Sequence, residues 1–302
     1  MKIGLLDVDS HNYPNLALMK ISAWHKAKGD EVELVRLPTL EYYDKVYVSK
    51  VFGDEYSKMP EECINAGEIV CGGTGFAIEV EGDKEVFRKE LNNVLPDEIE
   101  HIYPDYSLYP EFTKDTAYGF LTRGCPNNCS FCIVSKKEGL CSRKVADLSE
   151  FWRGQKNIEL LDPNILACKD KMGLLGQLAE SGAKVNFNQG LDARFITEEV
   201  AKALSEIRIK TVHFAFDFMK NEERIVAGLK TFQRLCPTES RNATVYMLTN
   251  FDTTLEEDIY RLRKIQECGF QPDVRIYRKS TAPRYLRDMQ RWCNNRFFLQ
   301  EL

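Results

Sequence analysis

The chain has 302 residues, of which 43% are hydrophobic, 29% charged and 11% aromatic, with a formal net charge of −5. So much apolar surface excludes a chain disordered by composition, and the length suits two domains of ordinary size. The acidic balance excludes a whole-chain basic footprint for nucleic acid, and no run approaches the roughly 20 apolar residues that cross a bilayer.

The opening "MKIGLLDVDS" lacks the apolar core and small-residue cleavage site of a secretion signal, so the expected location is cytoplasmic. It predicts a short buried strand over "KIGLLDV". A helix over "PNLALMKISAWHKAKGD" follows, with Pro14 near its start and Gly29 as its stop signal. Leu16, Met19, Ile21, Ala23 and Trp24 include helical spacings suited to one packed face. Further strands are predicted in "EVELVRL", "KVYVSKVF" and "EIVCGG". Strands alternating with helices imply a doubly wound parallel sheet, here over residues 1–99, with ligand sites at the carboxyl ends of its strands. The proline- and aromatic-rich stretch 100–116 has little periodicity and reads as a packed linker.

From Ala117 the alternation has a longer beat. Strands are predicted in "YGFLTR", "NIELLD", "KVNFNQ", "TVHFAF", "ATVYML" and "DVRIYR", with helices in "KDKMGLLGQLAESG", "TEEVAKALSEI", "NEERIVAGLKTFQRL" and "LEEDIYRLRKIQECG". Most starts recur about every 26–32 residues, the length of a βα unit. Six units are too few for a closed eight-fold barrel, so residues 117–280 are expected to form a partial (β/α)6 barrel. The tail 281–302 predicts a final helix. Between Arg275 and Leu302 stand seven Lys or Arg against two Asp or Glu, a solvated basic face or a contact for an anionic substrate or nucleic acid.

Ten cysteines in a reducing compartment point to metal more than to disulfides where they cluster. Seven stand singly and are expected to be ordinary small core residues. The other three, Cys125, Cys129 and Cys132, form C-x3-C-x2-C in "TRGCPNNCSFC", directly after a predicted strand. Thiolates suit zinc or iron–sulfur clusters. A closed zinc site wants four ligands, and the nearest fourth thiol is Cys141, nine residues on. The other reading is a cubane cluster held by three thiolates, whose remaining iron is open to a small molecule.

With Phe131 as the aromatic of C-x3-C-x-Φ-C, this segment resembles the radical S-adenosylmethionine superfamily. The resemblance covers Ala117 to about Lys279. It implies that Cys125, Cys129 and Cys132 hold a 4Fe-4S cluster, whose fourth iron is chelated by S-adenosyl-L-methionine. One electron then cleaves the sulfonium, and the resulting 5′-deoxyadenosyl radical abstracts a hydrogen atom from the substrate. The N-terminal domain resembles the cobalamin-binding-like, Rossmann-type domain ahead of some such barrels. Through "SHNYPNLALMKISAWHK", "NQGLDAR" and "MQRWCNNR" the chain is also similar to a group of these proteins from anaerobic bacteria and their phages.

The barrel mouth supplies the remaining candidates, with Phe131 counted beside the cofactor. The family usually carries a Gly-Gly-Glu-like segment after the second strand; here Asp162 and Asn164 stand instead, and Asp162 is expected to accept a bond from the methionine ammonium. Asn188, Gln189, Asp192 and Arg194 follow the third strand, where buried polar groups need partners. Against a cofactor role stands an internal Asp192–Arg194 pair with a turn at Gly190. Asp217 ends the fourth strand where the family often bonds the ribose. Asn250 ends the fifth with Thr249 and Asp252, although Asp252, Thr253 or Thr254 also suits an N-cap. His213 reads as a satisfied barrel residue.

Asp9-Ser10-His11 matches only part of the cobalamin signature D-x-H-x-x-G, because Pro14 takes the place of its glycine, so cobalamin is not the favoured cofactor. Gly72, Gly73 and Gly75 either let backbone approach a ligand or make a turn. The expected function is reductive cleavage of S-adenosylmethionine and hydrogen abstraction from an anionic substrate: a nucleotide, nucleic acid, peptide or small metabolite. The expected electron donor is a flavodoxin or ferredoxin, with no membrane partner. The rival reading is a non-catalytic iron–sulfur or zinc protein acting as a redox sensor or adaptor.

Overall fold

The computed structural model describes residues 1–10, 12–81, 84–236 and 242–295. They divide into two compact units. One comprises Met1–Gly119, Asn127–Leu140 and Ala146–Gln155; the other comprises Phe120–Pro126, Cys141–Val145 and the chain from Lys156 onward.

In the first unit, β1 (Lys2–Asp7) buries Ile3 and Leu5 completely against Leu18 and Ile21 of α1 (Leu16–Ala27). Apolar residues of this size contribute about 1.5–3 kcal/mol each when fully buried. Asn15 caps α1, its side chain accepting the amide of Leu18. The strands β2 (Glu31–Leu34), β3 (Tyr43–Ser49) and β4 (Ala66–Gly72) complete a parallel sheet of order β2-β1-β3-β4. The alternation with helices that a doubly wound sheet implies is not observed throughout. Only β1 and β2 are joined by a helix, and the connections 35–42 and 50–65 have none. Pro38, Gly53 and Pro60 interrupt those connections, and Pro removes the amide that a helix needs. An antiparallel hairpin of β5 (Ile78–Glu81) and β6 (Lys84–Phe87) was not legible either.

The stretch 100–116 belongs to the first unit rather than standing between two. It follows α2 (Asp97–Glu100) and contains α3 (Pro110–Thr113). Tyr109 is 4% exposed and donates to Asp7 Oδ2 at 2.5 Å, and Tyr106 donates to the carbonyl of Phe151 at 2.6 Å. The aromatics that looked like linker content are packing anchors.

The predicted strand "YGFLTR" breaks in two. β7 (Thr116–Gly119) is the first strand of a six-stranded sheet, whereas β8 (Thr122–Arg123) pairs antiparallel with β9 (Arg143–Lys144). Between β8 and β9 lies the short α4 (Val134–Glu138). The chain then alternates through β10 (Asn157–Leu160), α5 (Lys171–Ser181), β11 (Lys184–Phe187), α6 (Glu198–Ser205) and β12 (Arg208–Ala215). It continues with α7 (Glu222–Leu235), β13 (Ala243–Thr249), α8 (Leu255–Glu267), β14 (Gln271–Ile276) and α9 (Arg284–Cys293). The strand order is β14-β13-β12-β11-β10-β7, and the pairs from β10 to β14 are parallel. The molecule is therefore mixed α/β, built on a four-stranded and a six-stranded parallel sheet.

Local sequence sets the helix ends. Thr197 caps α6, Thr254 and Glu257 form a capping box on α8, and Gly182 ends α5 in the left-handed region at φ 62°. One face of the second sheet is apolar: Ile158, Leu160, Val185, Phe187, Val212, Phe214, Val245, Met247 and Val274 are all at most 2% exposed. The Phe214 ring packs edge-on against Phe232 of α7, which identifies this as the helix-covered face.

Candidate functional site

The cysteine loop begins at β8, and a buried carboxylate holds that start. Asp162, 3% exposed, accepts the amides of Leu121 (2.9 Å) and Thr122 (2.5 Å) and the Thr122 hydroxyl (2.5 Å). Burial dominates its titration and raises its pKa to about 7, although these three bonds and Arg123 pull it down. The sequence placed Asp162 at a ligand. Its observed partners are the two residues that lead into the loop.

Asn164 lies two residues further on and is 3% exposed. Its amide Nδ2 points at Cys125 Sγ (3.6 Å) and donates to Asp192 Oδ2 (3.1 Å). Its carbonyl Oδ1 is buried and has no hydrogen-bond partner among the described residues. A buried acceptor without a donor costs about 1–3 kcal/mol, so it is held there by its surroundings or awaits a donor. The main-chain carbonyl of Asn164 accepts the Ser142 hydroxyl at 2.8 Å, a contact that sequence gave no sign of. Asp192 and Arg194 form the internal pair: Arg194 Nε reaches Oδ1 at 2.8 Å and Nη2 reaches Oδ2 at 2.7 Å. Arg194, Asp192, Asn164 and Cys125 thus form one continuous chain of contacts. Gly228 of α7 fixes its far end, because a Cβ there would stand 1.9 Å from the carbonyl of Ala193.

Cys125 belongs to the second unit by contacts, and Cys129 and Cys132 to the first. All three are half-buried, and Cys141 is exposed. Gly124 (φ 90°) and Asn128 (φ 45°) put left-handed turns either side of Cys125, and the Cys132 amide donates to the Cys129 carbonyl at 3.0 Å. Among the described residues no three His, Cys, Asp or Glu side chains stand together as metal ligands.

The other candidates separate by role. Asn188 donates to Glu159 Oε2 at 2.9 Å and accepts from Asn186, while Gln189 is exposed and Phe131 half-buried. Asp217 accepts the Leu248 amide at 2.9 Å, and burial raises its pKa. Asn250 sits at φ 62° and donates to the Tyr277 carbonyl at 2.8 Å, which explains it as a turn former. Thr249 is buried and donates to the Arg275 carbonyl at 3.3 Å, and the N-cap is Thr254 rather than Asp252. In the first unit, Asp9 accepts the amides of Val51 (2.9 Å) and Phe52 (2.9 Å). Gly73 and Gly75 lie against backbone, since Cβ atoms there would meet the carbonyls of Lys50 at 2.3 Å and Phe52 at 2.2 Å. The glycine run is thus a close backbone crossing. His11 lies outside the described residues.

Sequence reading missed Arg261. It is fully buried on α8 and donates to the carbonyls of Phe216 (2.7 Å) and Leu248 (2.9 Å) and to Asp258 Oδ1 (2.5 Å). It thereby ties the carboxyl ends of β12 and β13 together beside Asp217. The helical run Asp258, Arg261, Leu262, Ile265 carried the signal, because its apolar members mark the inward face. No protein-family model matches the chain, and no curated protein matches it either.

Proposed function

We propose that residues 117–280 form a partial (β/α)6 barrel and that the protein is a radical S-adenosylmethionine enzyme. The first unit we read as a doubly wound, cobalamin-binding-like domain that has kept the architecture without the full signature. Strand order supports the barrel, because consecutive parallel strands joined by helices on one face generate it. The carrying observation for the activity is Asn164, whose orphaned carbonyl lies on the residue that contacts Cys125 Sγ. A buried acceptor beside a thiol suits a ligand with N–H donors, as the ammonium of S-adenosylmethionine has.

The donor set also fits: three soft, half-buried thiols on one loop suit a 4Fe-4S cluster with one open position. When bound, the cluster supplies the electron that cleaves the sulfonium. Cys125, Cys129 and Cys132 would hold it. Asp162 fastens the amides ahead of the loop, and Asn164 offers its carbonyl to the methionine ammonium while the Asp192–Arg194 pair holds its amide in place.

Anaerobic reconstitution tests this. The expected product is a brown protein with about four irons that forms 5′-deoxyadenosine from S-adenosylmethionine and dithionite. Stoichiometric zinc without cleavage overturns the reading. One observation favours the four-thiolate rival. The β8–β9 register pairs Arg123 with Arg143, so Cys125 and Cys141 each lie two residues beyond the same end of that ladder. Cys141→Ala separates the two readings: unchanged iron supports three thiolates, and loss of the metal supports four.

A further inference from the structure

The other face of the second sheet carries a row of polar, mostly half-buried side chains. Parallel sheets normally bury apolar residues on both faces. Here the alternate residues Glu159, Asn186, Thr211, His213, Thr244, Tyr246, Asp273 and Arg275 are polar on five successive strands, β10 to β14. They are interlinked. Glu159 accepts Asn186 (2.5 Å) and Lys210 (3.2 Å), and the Thr211 hydroxyl bonds to Asn186 Oδ1.

Three planar groups stand side by side at one end of this row. The His213 ring stacks on Tyr246 with centroids 4.8 Å apart and planes at 17°, and the Arg275 guanidinium lies 4.9 Å from the Tyr246 ring. Each has a polar far edge. His213 Nδ1 is 2.6 Å from the Thr244 hydroxyl, and burial pulls the pKa of the ring down. With that hydroxyl donating to Nδ1, the ring proton sits on Nε2. Among the described residues nothing bonds to Nε2. Arg275 pairs with Asp273 through Nη2 at 2.8 Å and also hydrogen-bonds the Tyr246 hydroxyl, yet it remains 57% exposed, so part of its five-donor fork is open. The row therefore ends in an N–H, an O–H and a guanidinium, each able to donate.

We propose that His213, Tyr246 and Arg275 form a subsite for an extended oxyanion on the substrate, either a diphosphate or a dicarboxylate. The spacing selects an extended group. The three groups stand on adjacent strands, their centres 4.8 and 4.9 Å apart in turn, so they spread over roughly two strand separations. A ligand that meets all three is wider than a single carboxylate or phosphate. The assignment to a substrate rests on the enzyme reading above, whereas the binding itself needs no cluster.

The test is a histidine-resolved NMR titration of the full chain, which has four histidines; His213→Gln assigns the signal. Pyrophosphate, succinate and inorganic phosphate are the probes. Saturable movement of the His213 signal is expected with pyrophosphate, marking a diphosphate, or with succinate, marking a dicarboxylate, and weaker binding with phosphate. Arg275→Ala should weaken binding about tenfold or more, as loss of a charge-assisted bond does. Tyr246→Phe should weaken it less, and Arg291→Ala, on exposed α9, not at all. Absence of saturation with every probe, or equal losses in Arg275→Ala and Arg291→Ala, overturns the subsite. Because no iron is present, failure here leaves the cluster reading standing, and failure of cluster assembly leaves this one.

Discussion

Replacing Asp162 tests whether one buried carboxylate organises the start of the cysteine loop. Asp162→Ala leaves the amides of Leu121 and Thr122, both on fully buried residues, without acceptors. At about 1–3 kcal/mol for each orphaned donor, the expected loss is ~2–6 kcal/mol at pH 4.5, where the native carboxyl is protonated and uncharged. Asp162→Asn keeps the shape and one oxygen for Thr122, but turns an amide NH2 toward the Leu121 N–H, so it should cost about 1–3 kcal/mol. The sign of the pH effect follows from the raised pKa. Folding holds the Asp162 proton from the ordinary 3.8 up to about 7, so this contribution is complete below about 3.8 and is lost as pH rises through about 7. That span of some three units corresponds to ~4 kcal/mol at about 1.4 kcal/mol per unit. Urea denaturation at pH 4.5 and pH 8 should therefore show wild type above Asn at the lower pH and level with or below it at the higher. A gap between wild type and Asp162→Asn that does not change with pH, or an Ala variant within about 0.5 kcal/mol of wild type at pH 4.5, would falsify the reasoning.

Asn164→Leu removes both the Cys125 contact and the orphaned carbonyl. It should lower iron retention during gel filtration while shifting the melting temperature little, since one unpaired acceptor disappears with the lost bonds; full iron retention counts against its role. Gly228→Ala should destabilise by about 1–3 kcal/mol, as overpacking does, because its Cβ would meet the Ala193 carbonyl at 1.9 Å; thermal melts decide. Arg261→Met should cost about 3–5 kcal/mol by leaving Asp258 buried and unpaired, and the double variant Asp258→Leu/Arg261→Met should recover much of it in denaturant titrations.

The candidate site was legible where chemistry follows residue type and local spacing. The C-x3-C-x2-C loop, the Asp192–Arg194 pair and the polar residues after each strand all stood out in one dimension. Their partners did not. Nothing local says that Asp162 meets Leu121 and Thr122, or that Asn164 joins Cys125 to Asp192, because these contacts close gaps of 28 to 41 residues. "YGFLTR" misled for the same reason: apolar alternation marks a strand but not its partner, and β8 pairs with β9 rather than entering the parallel sheet.

By itself, the sequence determined the βα alternation of the second half, since turn residues, caps and periodicity act within a few positions. It also determined the presence of three clustered thiols. Tertiary structure alone decided which groups are satisfied and which are left open. Burial raises the pKa of Asp162, a crossing of backbones explains Gly73, and strand register sets His213, Tyr246 and Arg275 on a diagonal across three neighbouring strands. Register is a relation between distant segments, and desolvation depends on everything packed around a group.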